Sequence, residues 1–133
     1  MVATAGLSTA NLANKWIDTL RGGGSGVTFT AVAALTAKLH TAIAGTAGTV
    51  AASAGDNTAK AVTNGAAAGG ASALSNAPLW TNGGTGETIT DISFWDSATF
   101  LYSGTLGVNK PWASTDTLTL SSLAFSLGPL ALT

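Results

Sequence analysis

The stretch ETITDISFWDSATFLYSGTL, Glu87 to Leu106, constrains the fold more than any other part of the chain. From Asp91 to Asp96 the residues alternate, with Ile92 and Phe94 on one parity and Ser93 and Trp95 on the other; Phe100, Tyr102, Gly104 and Leu106 alternate in turn. A period of two is that of a β-strand, whose successive side chains point to opposite faces. Asp96, Ser97, Ala98 and Thr99 supply a turn between the two runs, Asp96 being placed to bond the backbone N–H groups that follow it. A β-hairpin is predicted. Because Phe94 and Trp95 face opposite ways, one of them needs a second surface, either its own sheet or a neighbouring subunit.

Upstream, Leu35 to Thr41 alternates as a strand, preceded by a turn of helix near Thr30 to Ala33. Residues Ala42 to Ala77 are dominated by Ala, Gly, Thr, Ser and Asn. They are expected to form a long mobile loop over Ala42 to Thr58, then two plain strands over Lys60 to Ala67 and Ala71 to Leu79. TNGGTG, after Trp80, is a turn cluster. Near the end, Leu118 and Leu120 occupy even positions while Leu123, Phe125 and Leu127 occupy odd ones. One parity change at Ser121 and Ser122 predicts a bulge or a sheet-crossing corner. The spacing of strands and turns from Lys60 onward indicates a mainly β fold, a single antiparallel β-sandwich, jelly-roll-like, spanning 27–133.

Residues 1–26 read as a separate arm. Leu12, Trp16, Ile17 and Leu20 recur at helical spacing with polar residues between them, giving a short amphipathic α-helix. Ser8 suits its N-cap, and Leu7 and Leu12 occupy the positions of a hydrophobic staple. Arg21 suits the negative end of the helix dipole, Gly22 stops it, and Gly22 to Gly26 (GGGSG) form a joint. Such a helix either folds back over an apolar face of its own domain or docks on a neighbour through Trp16 and Leu20.

Composition separates the function classes. Charged residues make up 8% of the 133, against about 25% in an average soluble domain, and the net charge is -1. A surface of small uncharged groups costs little to desolvate, which suits a protein packed against copies of itself or a larger assembly. No cluster of Lys and Arg marks a nucleic-acid footprint, so direct binding to nucleic acid is not expected. Cysteine is absent, which removes disulfides and thiolate chemistry together. There is no run of apolar residues long enough to span a membrane, and no targeting segment is recognised at the N terminus.

Catalytic constellations are equally scarce. His40 is the single histidine, so a metal centre would rest on carboxylates, and no EF-hand-like run joins Asp91, Asp96 and Asp116. Asp91 and Asp96, five apart on a strand, point to opposite faces rather than flanking one bond. No nucleophile elbow, dinucleotide fingerprint or P-loop occurs. The expectation is a non-enzyme without cofactor or metal. Trp80, Trp95, Tyr102 and Trp112 could stack sugars, or serve as core and interface.

From about Phe29 onward the chain resembles a group of small tail-fibre-like and accessory virion structural proteins of tailed phages, especially actinobacterial ones. The marks, in order, are KLHTAIAGTAGT (Lys38 to Thr49), TAKAVTNGAAAGG (Thr58 to Gly70), ITDISFWDSATFLYSGTL (Ile89 to Leu106) and NKPWASTDTLTLSSLAFSL (Asn109 to Leu127). It departs where the family's Asp-Pro-Gly turn reads Ala42, Ile43, Ala44, Gly45, and where its Arg is Lys60. The resemblance implies a virion structural protein without catalysis, made in the host cytoplasm and carried on the particle surface. Two placements follow: the leading one, favoured by a single short domain with one arm and no long fibrous repeat, is a capsid decoration or cement protein on the assembled capsid; the alternative is a minor tail or tail-fibre-associated protein, with glycan binding at the host surface as its further role. Expected partners are copies of itself, as a homo-oligomer, and the major capsid protein or other virion proteins. Leu12, Trp16, Leu20, Trp95 and Trp112 are the side chains expected at such an interface.

Overall fold

The computed structural model describes residues 6–20 and 31–126. Its elements, in chain order, are β1 (Gly6–Leu7), a π-helical turn (Thr9–Ala13), α1 (Asn14–Leu20), β2 (Leu35–His40), β3 (Lys60–Ala61), β4 (Ala71–Ala73), β5 (Leu79–Thr81), β6 (Glu87–Asp96), β7 (Thr99–Trp112), β8 (Thr117–Thr119) and β9 (Ala124–Ser126). The fold is mainly β, with antiparallel pairing throughout and one short helical segment.

The predicted hairpin is the centre of a five-stranded sheet ordered β1-β7-β6-β2-β3. Asp96 pairs with Thr99 across the two-residue turn Ser97–Ala98, and Ser97 takes φ 54°, the left-handed conformation that such turns demand of a central residue. The expected local bond from Asp96 is replaced by a longer-range one. Its carboxylate accepts from the backbone N–H groups of Ala33 (3.3 Å) and Ala34 (3.2 Å), the residues leading into β2. No helical turn forms over 31–33; bends at 33–34 deliver the chain to that carboxylate instead.

Alternation divides the sheet into two buried faces. On one, Ala37, Leu39, Ile92 and Phe94 meet Val62, Trp80, Ile89 and Trp112 in the main core. Phe94 stacks on Tyr102 with centroids 4.6 Å apart, a cross-strand pair whose register the strands fix, and Tyr102 in turn meets the edge of Phe125 at 5.4 Å. Over this face lie two ribbons, β4 with β9 and β5 with β8, in place of a second continuous sheet. Leu118 and Leu120 of one ribbon and Leu123 at the start of the other all pack on the core. The parity change at Ser121 and Ser122 therefore marks the point where the chain leaves one ribbon for the next. Of the two strands expected over 60–79, only the short pieces β3, β4 and the start of β5 form.

The second face carries Lys38, His40, Ser93, Trp95 and Phe100, and the segment 41–55 closes over it. Far from hanging free, that segment is braced internally by Thr41 N–H to Ala51 O (2.9 Å) and Val50 N–H to Ala44 O (2.9 Å), and tied to β2 by Ser53 N–H to Leu39 O (3.0 Å). Trp95 meets the edge of Phe100 at 5.3 Å and the Lys38 ammonium at 4.9 Å, so what it touches is its own sheet. Gly48, at φ 71°, lies against Phe100 so closely that an added Cβ would stand 2.3 Å from the ring.

The N-terminal segment folds back onto the sheet. Leu7 pairs with Tyr102, Ser8 N–H reaches Leu101 O at 2.6 Å, and the Asn11 side-chain amide donates to Phe100 O at 2.8 Å. Ser8 caps the helix, its Oγ accepting from Asn11 N–H at 3.3 Å. The expected stop at Arg21 and Gly22, the joint Gly22–Gly26, and Thr30 and Leu127 lie outside the described residues.

Replacing Gly48 by Ala should overpack the Phe100 contact and force a side chain into a left-handed backbone. A loss of about 2–3 kcal/mol is expected in denaturant unfolding. Gly104→Ala, with nothing within 4 Å of the added methyl group, should change stability by less than about 0.5 kcal/mol.

Candidate functional site

Two places gather the side chains that sequence reasoning singled out. The first is polar and enclosed. β2 and β6 run antiparallel with Lys38 opposite Ser93 and His40 opposite Asp91, which brings an imidazole beside a serine hydroxyl. His40 Nε2 lies 2.7 Å from Ser93 Oγ, and Nδ1 lies 2.8 Å from Val50 O. A carbonyl only accepts, so Nδ1 carries the proton and Nε2 is the acceptor. Trp95 Nε1–H donates to the same Ser93 Oγ at 2.7 Å, leaving the serine proton for His40. The result is a directed chain, indole to hydroxyl to imidazole to carbonyl, in which each of these groups is satisfied.

A serine beside a histidine invites comparison with a nucleophile and its base. Here Ser93 is 0% exposed and His40 1%, the hydroxyl already serves two partners, and the loop 41–55 covers both. Burial holds the His40 pKa below its ordinary 6.5, so the ring is neutral at physiological pH; the nearby Val50 carbonyl and Asp91 oppose the shift and Lys38 adds to it. The arrangement holds a loop. The carboxylates do related work. Asp91 accepts from the hydroxyls of Thr90 (2.5 Å) and Thr105 (2.8 Å). Glu87 accepts from Ser53 Oγ and from the N–H groups of Ala54 and Gly55, both at 3.1 Å, fixing the end of the loop. Among the described residues no group of three His, Asp or Glu side chains converges as metal ligands.

The second place is apolar and open. α1 and β1 stand beside the β4–β9 ribbon, and between them is a cavity of about 340 Å³. Leu7, Leu12, Trp16, Tyr102 and Phe125 form its walls, with the small residues of 67–72 along one rim. Among the described residues no charged side chain lines it. Leu7 remains 54% exposed and Phe125 37%, and Ile17, the next helical residue after Trp16, is 62% exposed. Burial pushes the Tyr102 phenol pKa up, so this wall stays neutral as well.

Of the five expected interface residues, the structure brings Leu12 and Trp16 together at this groove. Leu20 ends α1, and its side chain is outside the described set. Trp95 (8% exposed) and Trp112 (2% exposed) are buried within the chain itself, Trp112 donating its indole N–H to Asp116 O at 2.9 Å. Trp80 is fully buried too, its N–H bonded to Thr58 O at 3.1 Å, so these three tryptophans offer no open stacking face for a sugar. Sequence reasoning missed Leu7 and Phe125. Phe125 was signalled only by its odd position after Ser122, which assigned it to a face without saying how much of that face would be covered.

The chain matches, over residues 6–128, the family model of podophage GP4 fiber I protein gp80. The chain belongs to this family. Membership makes it a phage fibre-like protein and a virion component, consistent with the resemblance to tail-fibre-like proteins of tailed phages; an actinobacterial host gains no support from the match. Among curated proteins nothing matches. The family match spans both places described above, the enclosed polar chain and the open groove.

Ser93→Ala would leave Trp95 Nε1–H and His40 Nε2 facing a methyl group. A loss of about 1–3 kcal/mol is expected by chemical denaturation. Ser103 is the internal control: it is buried on a neighbouring strand with no partner for its Oγ, so Ser103→Ala should be neutral or slightly stabilising.

Proposed function

We propose that this protein is a non-catalytic structural component of a phage tail fibre, and that it assembles by packing the groove between α1 and the β4–β9 ribbon against a second copy of the chain. The family match over 6–128 carries the fibre assignment. Capsid decoration, the leading expectation from sequence, has no comparable support, and the tail-fibre alternative takes its place. The absence of charge among the described residues of the groove walls and the small net charge of -1 favour a like partner, because two such walls meet without repulsion. Exposed Leu7 and Phe125 on the groove walls supply apolar area whose burial drives association, at roughly 25 cal/mol per Å².

Sedimentation velocity on the purified chain tests the mode of assembly. Self-association is expected, weakened at least about tenfold by Leu7→Glu, which puts a buried charge at the contact. Val108→Glu, on an exposed stretch of β7 (68% exposed) that does not line the groove, should leave it unchanged. A monomer at all concentrations, or equal effects of both substitutions, would count against the groove. Mass spectrometry of purified particles tests the location: absence of the chain sinks the virion assignment, and copy number on the scale of the capsid lattice sinks the fibre one.

A further inference from the structure

The loop 41–55 is attached to the second face of the sheet by a group that can change charge. We propose that His40 makes this loop a pH-responsive latch, closed while the ring is neutral and released on acidification, uncovering the Trp95–Phe100 face. This inference is independent of how the groove is used.

The geometry supplies the reason. Nδ1–H holds Val50 O, and Nε2 takes the only available Ser93 proton, since the Ser93 oxygen already accepts from Trp95. Adding a proton at Nε2 turns two donors toward one hydroxyl. The Ser93 proton then loses its acceptor at a site with 0% exposure, and a cation is created in a ring that is 1% exposed. The ionic surroundings do not neutralise it well. Asp91, opposite on β6, attracts the charge but is engaged by Thr90 and Thr105, while Lys38, two residues back on β2, repels it. Residues 41–55 themselves contain no titratable side chain.

Relief comes where the cover is thinnest. Val50 is 54% exposed, and beneath the loop Gly48 rests on the Phe100 ring without a side chain of its own to anchor it. Lifting 45–50 hydrates the imidazole without separating β2 from β6, whose six paired positions hold His40 Cα in place.

The sign follows from linkage. The folded His40 binds its proton less readily than the unfolded chain or an open loop, with its ordinary value of 6.5. The closed state is therefore fully favoured above that value, and loses stability as pH falls from it toward the folded pKa. Asp56, whose carboxyl is held low by bonds from Thr58, Thr81 and Lys60 that outweigh its desolvation, acts only below its ordinary 3.8 and is out of this window.

Hydrogen exchange of the whole protein between about pH 7.5 and about pH 5, corrected for intrinsic rates, tests the latch. Peptides over 41–55 should lose protection by about tenfold per pH unit within the window, while the β6–β7 hairpin keeps its protection. The same protection at both ends of the range, or parallel loss in loop and hairpin, would overturn the proposal. His40→Gln should abolish the pH dependence of the loop, and acid-sensitivity surviving in it would assign the effect to another group. Should that variant not fold, the indole N–H resonance of Trp95 in the wild-type chain decides: a transition with its midpoint below 6.5 is expected, and none in the range refutes the latch.

Discussion

The back-to-back placement of Phe94 and Trp95 on β6 is the constraint from which the remaining architecture follows. A strand with a large aromatic on each side cannot leave either face to water without exposing a large apolar surface. Phe94 is covered by Tyr102 and the two ribbons, Trp95 by Phe100 and the loop 41–55. One strand thus organises two packing problems, and the chain solves them differently: apolar side chains from the two ribbons and the residues flanking them on one side, a glycine-rich loop held by polar bonds on the other.

That difference explains how polar groups are distributed. The ribbon side needs few of them, because Leu74, Leu118, Leu120 and Leu123 supply apolar cover. The loop side has little apolar material to offer, so its closure depends on hydrogen bonds to His40, Glu87 and Leu39. Asn82 does similar work at the far end of the ribbon. Its side chain donates to Thr85 O and Trp112 O and accepts from Gly84 N–H, binding two turns into one unit. In a chain so poor in charge, irregular backbone is fixed by hydrogen bonds to single amides, hydroxyls and carboxylates rather than by ion pairs; Lys60 with Asp56, at 3.5 Å, is the exception among the pairs described.

Much of this was legible in the sequence because it is written in periodicity. The hairpin, strand β2, the helix with its Ser8 cap and the change of sheet at Ser121 and Ser122 each follow from side-chain alternation or helical spacing. What escaped was set by contacts distant in sequence. Asp96 beside Ser97 has the chemistry of a local turn former, yet Ala33 and Ala34, brought alongside by β2, take its oxygens. The Ala- and Gly-rich run 42–58 lacks any pattern that predicts order, because its order comes from acceptors and donors on other strands. At the groove, the helix pattern identified Leu12 and Trp16, whereas Trp95 and Trp112 share composition with interface residues and differ only in the cover that folding gives them. Trp112 lies at the end of a strand, where alternation says little about depth.

The carboxylate of Asp96 has a consequence for chain entropy. It joins residues 62 and 63 positions apart, at the tip of a hairpin whose own loop is two residues long. Closure cost grows by about 0.6 kcal/mol per doubling of loop length, so bringing 33–34 to that tip costs about 3 kcal/mol more than forming the hairpin itself. A single anionic acceptor offering both oxygens to adjacent N–H groups partly offsets that difference at one point, and every residue of β2 then aligns on β6 with no further loop to close. The turn is therefore also a landing mark, and the register of the largest strand pair outside the hairpin is set from its tip.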